Sequence, residues 1–164
     1  MADQQHPQAD DSAALRAAFD AVVRAQTSLT TELSRQAGIH ESALRTLVLL
    51  SETGYATPTE VAGYLGLTSG AVTNTTDRLV DAGLVERRRN PADRRGSLLE
   101  LTPAGAELIA DRQRRYAAVL GSVDAAHDGR LLALLEDLAN ALLIGAVDAH
   151  ADRADTADTA DTAG

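Results

Sequence analysis

A chain of 164 residues with 45% apolar content is long enough for one domain with a core, or for a subunit that completes its core by pairing. It contains no cysteine, which excludes disulfides, cysteine-based zinc sites and thiol chemistry, and its four aromatics (Phe19, Tyr55, Tyr64, Tyr116) are too few for the base-stacking platforms of single-strand binders. The net charge of −9 is concentrated at the ends, −3 over residues 1–11 and −4 over 148–164, which leaves −2 for residues 12–147; an acidic total therefore does not exclude an anionic partner for the middle of the chain.

Residues 1–11 are polar and the chain closes on Ala-Asp-Thr repeats, so 1–11 and 148–164 are expected to be disordered tails. Between them, Leu15, Phe19, Val22, Leu29 and Leu33 fall at mostly helical spacing and predict a long first helix ending near Gly38. In a second helix His40 takes the cap position, Ile39 and Leu44 have the spacing of a hydrophobic staple, and Leu44, Leu47 and Val48 face inward. Thr57, Pro58 and Glu60 supply a capping threonine, a proline at the first helical position and a glutamate three residues after the cap, which start a short third helix. That helix turns at Gly66 and Leu67 into a fourth, capped by Thr68 and closed by Gly83, with Val72 and Leu79 inward. Two short helices on a tight glycine turn, with Ala62 and Gly66 small where they approach, form a helix-turn-helix.

Leu84 to Arg88 and Ser97 to Leu101 read as two strands of a hairpin with an arginine-rich tip. Thr102 and Pro103 cap a long helix through Leu108, Ile109, Tyr116, Val119 and Leu120, and a last helix carries Leu131, Leu134, Leu135, Leu138, Leu142 and Ile144. The expected fold is mainly α with a small β-hairpin: a helix-turn-helix over about 58–83, a wing over about 84–101, and further helices over about 12–37 and 103–147. The longest charge-free apolar run, Leu138 to Val147, is far short of the roughly 20 residues of a membrane helix. No basic-then-apolar leader opens the sequence, so a cytoplasmic protein without membrane contact is expected.

A helix-turn-helix lays its second helix in the major groove of duplex DNA, where residues near the helix N-terminus reach base edges and phosphates. Here that surface is Ser69, Gly70, Thr73 and Asn74. Asparagine can pair bidentately with adenine, serine and threonine can meet phosphates or bases, and Gly70 lets the backbone come close. Arg87, Arg88, Arg89, Arg94 and Arg95 crowd the hairpin against one acid, Asp93. An arginine at such a tip can enter the minor groove while its neighbours meet phosphate, and Asp93 can accept hydrogen bonds from an arginine and hold the loop's shape. Each feature alone is also compatible with an ordinary solvated face; their adjacency favours the nucleic-acid reading.

Residues Leu65 to Gly105 resemble the MarR family of bacterial transcription regulators. The resemblance lies in the helix-turn-helix, in Asp77-Arg78-Leu79 ahead of Gly83-Leu84-Val85-Glu86-Arg87, and above all in Asn90-Pro91-Ala92-Asp93-Arg94-Arg95 leading to Leu99, Leu101, Thr102 and Gly105. With the helix order outside this stretch it extends over roughly residues 12–147. The resemblance implies a winged-helix homodimer, paired through its first and last two helices, on a near-palindromic operator in double-stranded DNA, usually as a repressor. It also implies that Arg95 is the wing arginine of the minor groove, that Asp93 supports it, and that Ser69, Thr73 and Arg78 lie along the recognition helix; Arg94, next to Arg95, is a further expected DNA contact. Asn74 departs from the arginine often found at its position, which moves the expected base preference from guanine towards adenine.

Many members of that family are released from DNA by small aromatic or phenolic acids, so a small-molecule effector is a further implied partner. His40, Arg45 and Tyr55 lie near where such a pocket would form, although a helix cap, a surface cation and a loop aromatic explain them as well and are the preferred readings. Dimer formation has its own support, since the first and last helices carry more apolar surface than a four-helix DNA-binding lobe can cover. An enzyme is disfavoured: His6, His40, His127 and His150 are scattered, and there is no glycine-rich phosphate loop or serine elbow, so no cofactor or metal is expected. The alternative from another class is a winged helix that binds protein, which the acidic balance allows but which does not call for an arginine-rich wing.

Overall fold

A computed structural model describes residues 7–91, 93, 96–126 and 129–145. The chain divides into two compact units after Gln113. The first contains α1 (Pro7–Gln36), α2 (Glu41–Thr53), β1 (Tyr55–Ala56), α3 (Pro58–Leu65), α4 (Ser69–Asp81), β2 (Val85–Arg89), β3 (Ser97–Leu101) and the start of α5 (Pro103–Ala126). The second contains the rest of α5 and a helical stretch over 131–145. The fold is mainly helical with a small sheet, in the expected order of elements.

Two features differ from the sequence-based expectation. α1 begins at Pro7, inside the stretch 1–11 expected to be disordered. Proline fits the first helical turn because its missing N–H has no partner there, and lengthening an existing helix adds a hydrogen bond per residue. Residues 1–6 and 146–164, with the expected acidic tail, lie outside the described residues. The hairpin also gains a third strand: β1 pairs antiparallel with β3 through Tyr55 opposite Glu100 and Ala56 opposite Leu99, giving the strand order β1-β3-β2.

Local chemistry sets the helix boundaries. The His40 ring nitrogen Nδ1 accepts from the Ser42 N–H at 3.2 Å, which caps α2. Thr57 and Glu60 form a reciprocal capping box at α3: the Glu60 N–H donates to Thr57 Oγ1 at 3.2 Å and the Thr57 N–H to Glu60 Oε2 at 2.6 Å. α3 stops at Gly66, whose left-handed φ of +65° closes the tight turn into Thr68, the cap of α4. The core of this unit joins Leu44, Leu47 and Leu50 of α2 to Val61 of α3, Val72 and Leu79 of α4, Val85 of β2, Leu99 of β3 and Ile109 of α5, all almost completely buried. Val48, expected inward, is half-buried.

The junction of wing and α5 depends on Gly105. The Thr102 N–H donates to Leu84 O at 3.1 Å and its hydroxyl donates to Gly83 O at 2.6 Å, while the Gly105 N–H donates back to Thr102 Oγ1 at 3.2 Å. A methyl group on Gly105 would lie 2.1 Å from Leu84 O, so the α5 entry is seated backbone to backbone.

Not all the apolar residues of α1 find cover. Leu33 is buried and Phe19 and Leu29 are half-buried, but Leu15 and Val22 are 71% and 64% exposed. In the second unit Leu134, Leu135, Leu138, Leu142 and Ile144 are exposed as well, and the Leu131 N–H donates to Asp124 Oδ1 at 2.8 Å, which starts the last helical stretch. No helix among the described residues is long and apolar enough to cross a membrane.

Candidate nucleic-acid interface

α4 buries Val72, Thr76 and Leu79 and presents Ser69, Gly70, Thr73, Asn74 and Arg78 to solvent. Helical spacing sorts these into two stripes. Ser69, Thr73 and Asp77 stand one turn apart on one side, and Gly70, Asn74 and Arg78 on the other. Thr73 donates its hydroxyl proton to Ser69 O at 3.0 Å, so towards a ligand it offers an acceptor. The Asn74 side chain keeps a donor and an acceptor on an exposed surface, the pair that bidentate recognition of adenine uses.

The second stripe borders a cleft of about 460 Å³, where Asn74 and Arg78 face His40, Ser42 and the apolar Ile39 and Leu67. The first stripe ends at Asp77, beside β2. Arg87 Nη2 donates to Thr76 Oγ1 at 2.9 Å and to Asp77 Oδ1 at 2.6 Å, which ties the strand to the helix. The wing register is regular, with Arg87 opposite Leu99, Arg88 opposite Leu98 and Arg89 opposite Ser97. The Asn90 N–H closes the tip by donating to Gly96 O at 3.3 Å, and the Gly96 N–H donates to Asp93 O at 3.0 Å. Glycine at 96 also leaves room for the Asp93 carboxylate, whose Oδ2 lies 3.2 Å from where a Cβ would sit. Arg95, the expected minor-groove residue, and Arg94, the expected DNA contact beside it, lie outside the described residues.

The arginine run is less uniform than it reads. Arg87 is held by Asp77. Arg88 forms ion pairs with Glu86 at 2.9 Å and Glu100 at 3.2 Å on the opposite sheet face, and these partners, Glu86 first, raise its pKa. Both cations therefore meet carboxylates within the lobe, whereas the sequence suggests that the neighbours of the tip arginine face phosphate. A period of two along β2 and the nearby acids Asp77, Glu86 and Glu100 are the signals for this partition.

A model of the MarR family matches residues 39–97. A cysteine-to-serine mutant of MarR from E. coli, solved in complex with operator DNA, has 27% sequence identity and a TM-score of 0.54, over 79% of this chain and 96% of that one. Over residues 39–97 the chain is similar to the MarR family, and its fold is that of MarR-type winged-helix regulators. The multiple antibiotic resistance protein MarR of Salmonella typhimurium is 42% identical over 62 residues, which are 38% of this chain and 43% of that protein, so the matched segment spans less than half of that relative. An uncharacterised HTH-type transcriptional regulator of Bacillus subtilis is 31% identical over 107 residues, 63% of this chain and 65% of that one. Within this MarR-type winged helix, α3 and α4 are the helix-turn-helix and β2 and β3 the wing.

His40, Arg45 and Tyr55, singled out from the sequence as neighbours of a pocket, line three different clefts. His40 caps α2, Arg45 stacks over the Tyr64 ring at 5.5 Å, and Tyr55 lies exposed in β1. The Arg45 cleft, about 320 Å³, also contains Gln26, Glu41 and Arg112.

Proposed function

We propose that this chain is a non-enzymatic, cytoplasmic transcriptional regulator that binds a near-palindromic operator in double-stranded DNA as a homodimer, as a repressor. The observation that carries the reading is the exposed α4 surface of Ser69, Gly70, Thr73 and Asn74 beside an arginine-bearing wing, in a fold shared with a protein solved on operator DNA. Asn74 reads a base edge, Ser69 and Thr73 fix the register on the duplex, and Arg95 enters the minor groove with Asp93 supporting it and Arg94 as a further DNA contact. Pairing covers the exposed apolar residues of α1 and of 131–145 and sets two recognition helices about 34 Å apart.

A small-molecule effector would act most directly in the cleft beside α4. Arg78 and Asn74 line it, so an anion seated against them competes with duplex for the same side chains.

The experiment is selection of duplexes from a random pool at about 0.15 M salt, followed by titration of the enriched sequence with wild type and Arg95→Ala. An enriched near-palindrome, with affinity that falls steeply with salt and drops in the variant, is the expected result. Failure to enrich any sequence would transfer the reading to a protein-binding winged helix.

A further inference from the structure

Asp77 is an anomaly on a DNA-facing helix. It is exposed, it shares a stripe with Ser69 and Thr73, and an acid there repels phosphate. The structure gives it an internal task. Arg87 lies on the same strand face as buried Val85, opposite Leu99, and its Nη2 reaches across to Asp77 Oδ1 and Thr76 Oγ1. Thr76 is completely buried and donates its own hydroxyl proton to Thr73 O at 3.0 Å, so its oxygen is left to accept, and Arg87 is the donor that satisfies it.

We propose that Arg87 is a positioning residue: through Thr76 and Asp77 it holds the recognition helix at a fixed distance from the wing, without itself touching nucleic acid. The inference rests on the DNA-binding reading above. Two links make it more than a local ion pair. The hydrogen bonds run from β2, the strand that leads into the wing tip, through Thr76 to the Thr73 carbonyl in the turn that carries Ser69 and Thr73, so the two DNA-contacting elements are coupled by one guanidinium. Asp77 also cancels the charge of Arg87, so the pair offers phosphate no net attraction, and a flat, forked donor is what spans two acceptors at once.

The two roles open to Arg87, positioning and phosphate contact, predict opposite results. The experiment measures affinity of the full chain for the duplex enriched above, over a series of salt concentrations, with thermal unfolding of each variant alongside. For a positioning pair, Asp77→Ala weakens binding by about tenfold or more, the usual scale for a lost charged hydrogen bond, although it removes a negative charge from the DNA face. Arg87→Ala weakens binding to a similar degree with the salt slope unchanged, and the double variant is no worse than either single one. Asp77→Asn, which keeps an acceptor oxygen, recovers most of the loss. Tighter binding by Asp77→Ala, or a salt slope reduced by about 0.9 in Arg87→Ala, the value for one phosphate contact, would overturn the proposal. Should Arg87→Ala melt at the assay temperature, the Asp77 pair of variants alone decides the sign. A wild type that enriches no duplex fails the DNA-binding reading itself, and the inference with it.

Discussion

Single side chains show where sequence reading succeeds and where it stops. Ser69, Gly70, Thr73, Asn74 and Arg78 were legible as an exposed set because a helical period and the inward Val72 and Leu79 fix which face is free. That one stripe ends at Asp77 beside β2 and the other borders the cleft was not legible, because it depends on what packs beside the helix. In the same way a run of arginines reads as one patch, whereas strand alternation sends Arg87 to α4 and Arg88 to Glu86 and Glu100. Asn74 supplies the residue-scale prediction. Asn74→Ala should lose about 1–3 kcal/mol of discrimination at a single base position if the contact is bidentate, with little change on duplexes already altered there. Titration of the enriched duplex and its single-base variants checks this; equal weakening on every sequence would make Asn74 a backbone contact.

At the scale of elements, boundaries written in adjacent residues were readable and those that depend on distant partners were not. Thr57-Pro58 with Glu60, and Thr68 after Gly66, mark helix starts with groups that bond within one turn. β1 has two residues, too few to show alternation, and it is a strand because Leu99 and Glu100 pair with it. The α3 capping box yields a pH prediction. The Thr57 N–H, and next its hydroxyl, hold the Glu60 carboxyl below the usual carboxylate range. A carboxyl lowered on folding contributes stability that is complete above its unfolded pKa, about 4.3, and that disappears as pH falls through the lower folded value. Glu60→Gln, which removes that carboxylate, should therefore destabilise the lobe at neutral pH. The difference from wild type should shrink on acidification below the unfolded pKa, as measured by urea unfolding across the range. A difference independent of pH would mean that the threonine caps the helix without help from the carboxylate's charge.

For the whole molecule the deciding quantity is uncovered apolar surface. Leu15 and Val22 on α1, and Leu134, Leu135, Leu138 and Leu142 in 131–145, stand exposed at helical spacing, in separate units of one chain. Isolated exposed leucines are ordinary on a monomer, but repeated ones along a helix face mark an interface. The sequence carried this signal, since it places more leucines in the flanking helices than a four-helix lobe can bury. A second copy is the partner that the proposed near-palindromic operator would call for, because two-fold symmetry in the protein is what reads two-fold symmetry in the duplex. At micromolar concentration, sedimentation should give twice the 17.2 kDa chain mass. Leu142→Glu, a charge placed on the exposed face of the last helical stretch, should move the equilibrium towards a single chain and take operator affinity with it, since one recognition helix alone makes half of the contacts. Circular dichroism separates this from unfolding: the helical signal of the α2 to α4 lobe should persist in the variant. A wild-type chain that sediments as a monomer at that concentration would remove the symmetric operator from the mechanism and leave a lobe that reads one half-site.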